Sequence, residues 1–74
     1  MQREFICERL ARAQRRLTHC ERFIERQTLA LEYSRLAGNA IAEQLVRQSI
    51  LLALRVRLAR DEELQKWKDL SVAS

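Results

Sequence analysis

The sequence predicts an all-α protein: two long helices folded into an antiparallel hairpin that homodimerises into a four-helix bundle. Three observations predict it. The chain of 74 residues carries a single glycine, Gly38, near its midpoint, and no proline. Each half is therefore free of internal helix breakers. In the first half Ile6, Leu10, Ala13, Leu17, Cys20, Ile24 and Leu31 recur in steps of three and four. That seven-residue period is the seam of a coiled coil. In the second half apolar residues occupy more than one side of any helix drawn through them, so one partner helix cannot cover them all.

Helix 1 is expected over about 3–37. Its seam is continuous except between Ile24 and Leu31, where either Gln27 or Thr28 must face inward. A buried Gln needs several hydrogen-bond partners, whereas Thr can return its hydroxyl to its own backbone. The reading places Thr28 inward and Gln27 at the edge.

The turn falls at 38–39. Glycine tolerates the left-handed conformation that ends a helix, and the Asn39 side chain can cap the next one. Folding back there brings the chain's end beside its beginning. Helix 2 is expected over about 40–70, with Glu43 in the first turn, where a negative charge suits the helix dipole. Leu45, Leu52, Val56 and Ala59 form one apolar stripe, and Val46, Ile50, Leu54 and Leu58 form another. Helix 1 can cover one stripe and a second copy the other, through a two-fold axis. The core and dimer positions are then Leu10, Leu17, Ile24, Leu31, Leu45, Ile50, Leu52, Leu54, Val56 and Leu58, rimmed by Gln44, Arg47, Gln48, Arg55 and Arg57.

The charged run Arg60-Asp61-Glu62-Glu63 is a candidate kink or restart near 60–61, because Asp61 could cap a fresh helix. Leu64, Trp67 and Ser71 share a side beyond it, and Ser71 to Ser74 reads as a frayed tail. Trp67 should land near Leu10, with Phe5 and Ile6 close by. It either closes the open end of the bundle or, with Leu64, forms an anchor for a partner.

Composition narrows the class. A chain this short buries only about 60% of its unfolded surface and needs help from disulfides, a metal or self-association. Cys7 and Cys20 lie about 20 Å apart along one helix, too far for a disulfide, and free thiols suit a reducing compartment. The start, Met1 to Phe5, lacks the apolar core of a signal peptide, and the longest apolar run, Ile50 to Leu54, is far short of a membrane span. A soluble, cytoplasmic chain is expected, with no membrane partner. The alternative of a membrane-surface helix suffers because the helix 2 arginines are spread around it.

No catalytic constellation is present, and no cofactor or metal is expected. His19, the only histidine, adjoins Cys20. Neighbouring helical residues point about 100° apart, which suits neither a shared metal nor a nucleophile–base pair. An enzyme is not expected. The net charge is +4, and twelve of the fourteen basic residues are arginine, which suits bidentate contacts to carboxylates and phosphates. Arg9, Arg12 and Arg16 lie on one side of helix 1 beside Arg15. His19, Arg22, Phe23, Arg26 and Gln27 follow. An aromatic interleaved with cations fits an acidic-protein or nucleic-acid surface.

Arg22-Phe23-Ile24, then Gln27-Thr28-Leu29 and Leu31, resembles the first helix of the plasmid-encoded repressor-of-primer (Rop) proteins, and the distance from this stretch to the turn is similar. The resemblance covers about ten residues, Arg22 to Leu31, and does not extend into helix 2. It implies a hairpin dimer, and RNA binding on the exposed first-helix faces through a lysine, an asparagine, a phenylalanine, a glutamine and a second lysine. These fall on Arg12, His19, Phe23, Gln27 and Ser34. The chain departs at Ser34, which carries no charge, and at two inward positions of the family, here Glu21 and Arg35.

The expected function is therefore a non-enzymatic regulator or adaptor that docks a protein partner onto a helix face of a homodimer. The docking residues would be Phe23, Gln27, Leu64 and Trp67, steered by Arg12 and Arg16. The alternative is a Rop-like RNA-binding regulator acting through Arg12, His19, Phe23 and Gln27.

Overall fold

Both expected helices form and pack on one another as an antiparallel hairpin. The computed structural model describes residues 2–73. Helix α1 spans Gln2–Leu36 and α2 spans Ala40–Ala73. The result is a rod whose Cα atoms extend 55 × 14 × 13 Å.

The turn is built from the two residues singled out above. Gly38 has φ +68°, the left-handed region. Its N–H donates to the Arg35 carbonyl, and the Asn39 N–H donates to the Ser34 carbonyl. This pair of bonds is a Schellman motif, which satisfies the carbonyls left open at a helix end. Asn39 then starts α2 at once: its Oδ1 accepts from the Ala42 N–H at 3.1 Å, and its carbonyl accepts from the Glu43 N–H. One residue thus closes the first helix and caps the second. Glu43 stands between two arginines, 3.8 Å from Arg35 across the turn and 2.8 Å from Arg47 one turn on.

A Cβ on Gly38 would meet nothing within 4 Å, so Gly38→Ala meets only the left-handed backbone penalty. That is about 1–2 kcal/mol, and Asn39→Ala should lose about 1 kcal/mol of capping. For a chain this size each should lower the melting temperature by roughly 4–8 °C per kcal/mol. Thermal unfolding followed by circular dichroism checks both, and an unchanged midpoint for Gly38→Ala would contradict the turn geometry.

Between the helices runs a narrow core. Ala13, Leu17 and Leu64 form a buried cluster, with Leu10 and Trp67 packed against it. Cys20 and Ala53 are buried nearer the middle, where the Cys20 thiol donates to the Ala53 carbonyl at 3.4 Å. Both cysteines are free, Cys7 exposed and Cys20 buried. Ile24, Leu31, Val46, Ile50 and Leu54 are half-buried along the same interface.

The structure corrects four expectations. Gln27 is half-buried while Thr28 is exposed. Strict alternation of steps along Leu17, Cys20, Ile24, Gln27, Leu31 and Ser34 keeps Gln27 on the seam, and the Thr28 hydroxyl returns to the Ile24 carbonyl at 2.8 Å from the outside. Of the expected core and dimer positions, Leu45, Leu52, Val56 and Leu58 are exposed on the hairpin and do not pack into its core, Leu58 at 62%. A stripe of four-residue steps drifts about 40° per step, so Val46 and Ile50 reach α1 while Leu58 has wound past it. Helix α2 continues unbroken through Arg60-Asp61. With no proline or glycine to stop it, the run is laced by Arg60–Glu63 at 3.5 Å, and the helix beyond it by Gln65 donating to Asp69 at 2.9 Å. The expected frayed tail is helical to Ala73, with Ser71 half-buried; Ser74 lies outside the described residues.

Candidate interaction surface

Packing α1 on α2 leaves a groove along one flank of the rod, of about 550 Å³. Its floor is the pair of small buried residues, Cys20 and Ala53, where the helix surfaces are lowest. Phe23 from α1 and Leu52 and Val56 from α2 make apolar walls, with Ser49 between them. Arg12, Arg15, Arg16 and His19 form one rim and Arg60 the other. Among the described residues no carboxylate lines it. Glu63 lies just outside, its Oε1 3.5 Å from Arg16 and its Oε2 3.5 Å from Arg60. It holds two rim arginines across the helix interface and leaves the other cations to solvent.

Of the residues expected to dock a partner, the groove gathers Phe23, Arg12 and Arg16. Phe23 is half-buried, consistent with a large aromatic at the seam edge. Gln27 is half-buried on the same helix but does not line the groove. Leu64 is only 4% exposed and sits in the hairpin's own core, so it cannot serve as an anchor for a partner without the hairpin opening. Trp67 is half-buried at the open end. Its ring meets Phe5 edge-on at 6.0 Å and 78°, the Lys66 ammonium lies 5.7 Å from it, and the Arg9 guanidinium 5.1 Å from Phe5. Trp67 therefore closes the end of the hairpin. The alternative RNA set divides likewise: Arg12, His19 and Phe23 share the groove and Gln27 stands apart.

Sequence reasoning named Arg15 on the basic face without placing it in the docking set, and missed Ser49, Ala53 and Arg60 as parts of this surface. The contact that brings the two walls together, Cys20 of α1 against Ala53 of α2, pairs residues of different helices, so no pattern within either helix marks it. Arg60 reads in the sequence as part of a charged interruption, yet it lies half-buried on the packed side of α2.

A second apolar feature lies elsewhere on α2. Leu51 and Leu58 are 61% and 62% exposed, with Leu54 half-buried between them. Their spacing of three and four makes another seven-residue seam, extended by Arg47 at one end and Asp61 at the other, each seven residues from Leu54. Sequence reasoning missed Leu51.

Among the described residues, no group of three or more His, Cys, Asp or Glu is placed to hold a metal ion, and no helix is long and apolar enough to cross a membrane. The chain matches no protein-family model, no curated protein and no solved structure.

Proposed function

We propose that this protein is a non-enzymatic regulatory or adaptor module: a helical hairpin that pairs with a second copy and docks a protein partner onto a helix face. One observation carries the reading. Between Ile41 and Ala59, α2 is apolar on three sides, and α1 covers one. The hairpin exposes 6037 Å². A compact monomer of 8.8 kDa would expose about 1,300 Å² less. That surplus is enough for one standard interface, at about 800 Å² per partner, and a smaller one.

Charge assigns the two free seams to two occupants. A two-fold interface uses the same patch on both copies. The ridge Leu51, Leu54, Leu58 is self-complementary in that sense: antiparallel pairing about Leu54 sets Arg47 against Asp61 of the second copy, twice. The groove is not, because a second copy would bring four arginines and a single carboxylate, Glu63, already held by two of them. The ridge therefore serves the homodimer, with two α1 and two α2 helices forming a four-helix assembly, and the groove serves the partner. Sedimentation tests the first half: a dimer at micromolar concentration is expected, and a stable folded single copy would overturn it.

A second reading, RNA binding, is favoured by the cluster Arg12, Arg15, Arg16, His19 around Phe23. Phosphate-driven binding weakens steeply as salt rises. On that reading Phe23→Ala abolishes binding of an RNA hairpin in a mobility-shift assay and leaves the dimer intact, because stacking on an aromatic contributes about 1–3 kcal/mol per base. If Phe23→Ala instead dissociates the dimer, Phe23 is core and the RNA reading loses its central residue.

A further inference from the structure

We infer that the arginine-rimmed groove takes one acidic amphipathic helix from another protein. The inference rests on the protein-docking reading above and names the chemistry of its partner.

The shape argues for a helix. Two antiparallel helices leave a straight trough between their crests, and a third helix can lie in it with side chains at i, i+3 or i+4, and i+7 pointing down. Cys20 and Ala53 keep the floor low enough to admit such side chains. Phe23 and Leu52 stand on opposite helices as the walls between which they would seat.

The charge argues for acid. Four arginines and a histidine border the groove, and among the described residues Glu63 is the carboxylate paired with them. The Arg16–Glu63 pair is exposed, with side chains 45% and 34% accessible. Such pairs hold weakly, so an incoming carboxylate can share or replace Glu63. Arg12 and Arg15, a step farther out, have room for bidentate contacts. Flanking Glu or Asp on the partner helix would meet this rim while its apolar stripe met Phe23, Leu52 and Val56. Apolar walls of this kind give little to a phosphate backbone, which is the reason to prefer a protein over a nucleic acid here.

The test is selection on the intact chain from a displayed library of helical peptides, with an apolar stripe held constant and its flanking positions randomised. Enrichment of Glu and Asp at the flanks is expected. The best peptide, made synthetically, should bind at least about tenfold more weakly to Arg12→Glu/Arg16→Glu and to Leu52→Glu. The same samples are sedimented, and helix content is read by circular dichroism. Leu51→Glu/Leu58→Glu should still bind the peptide, so loss of the dimer and loss of the groove are separable. Enrichment of basic or neutral flanks, or no binder, overturns the inference while leaving the dimer standing. So does dissociation of the dimer by Leu52→Glu, which would make a second copy the occupant. Tighter binding of an RNA hairpin than of any selected peptide, abolished by the same arginine reversal, would give the groove to RNA.

Discussion

Leu64→Ala is expected to remove about 3 kcal/mol of stability, more than any other single leucine truncation on α2. Leu64 is 4% exposed, in contact with Ala13 and Leu17 and covered by Leu10 and Trp67. Truncating a buried leucine loses its transfer free energy and leaves a cavity, about 2–5 kcal/mol in all. A rod one helix pair thick has no second layer to collapse into that cavity, which argues against the low end. Total stability for a chain of this size is only about 5–10 kcal/mol, so a large share is at stake. Val72→Ala, at 88% exposed on the same helix, should change stability by less than about 0.5 kcal/mol. Urea unfolding monitored by helicity compares them, and equal midpoints would remove Leu64 from the core. A change in slope as well as midpoint would mean that the open end, where Trp67 packs on Phe5, had frayed in the native state.

The contrast between Leu64 and Leu58 shows where the sequence stops being legible. Both are leucines six residues apart on one helix, and the sequence reading set Leu58 among the core and dimer positions and Leu64 on a docking face. The structure buries Leu64 in the hairpin and leaves Leu58 exposed on it. What was legible was local: Gly38 and Asn39 have few other conformational uses in tandem, and the α1 seam repeats often enough to fix its own inward face. What was not legible was phase. On α2 thirteen of the nineteen positions from Ile41 to Ala59 are apolar or small, and they spread over three faces, any of which could be drawn against α1. Only the cross-helix register, with Cys20 over Ala53, selects one. The Gln27 and Thr28 exchange has the same origin, since residue chemistry argued for Thr inside while the seven-residue phase put Gln there. The groove depends on that phase too. Arg12, Arg16 and Phe23 were visible as a basic and aromatic face on α1, but their opposite wall belongs to α2 and could not be placed before the register was known.

The second large effect belongs to the ridge. Leu51→Glu/Leu58→Glu is expected to convert a dimer into single hairpins at micromolar concentration. Each copy would lose two leucines from the interface, and burying a leucine contributes about 1.5–3 kcal/mol. Counted over both copies and discounted for partial burial, this is at least about 4 kcal/mol, a thousandfold in the dissociation constant. Both side chains are already exposed in the hairpin, so the single copy's own packing is not touched and its helicity should persist at concentrations where the native chain is paired. That separates the prediction from Leu64→Ala, where helicity and association fall together. Orientation is tested by charge. Arg47→Asp places two like-charged pairs at Asp61 of the second copy, and Asp61→Arg does the same at Arg47. Each alone should weaken the dimer, and an equimolar exchange of both in one chain should restore it. Arg47 also pairs with Glu43 at 2.8 Å, so part of the Arg47→Asp effect will be a local loss within α2. That part is common to the single and the exchanged variant and cancels between them. Restoration in the exchanged chain therefore reports the contact between copies. Its absence, with both single variants still weakened, would mean that the ridges meet in some other register.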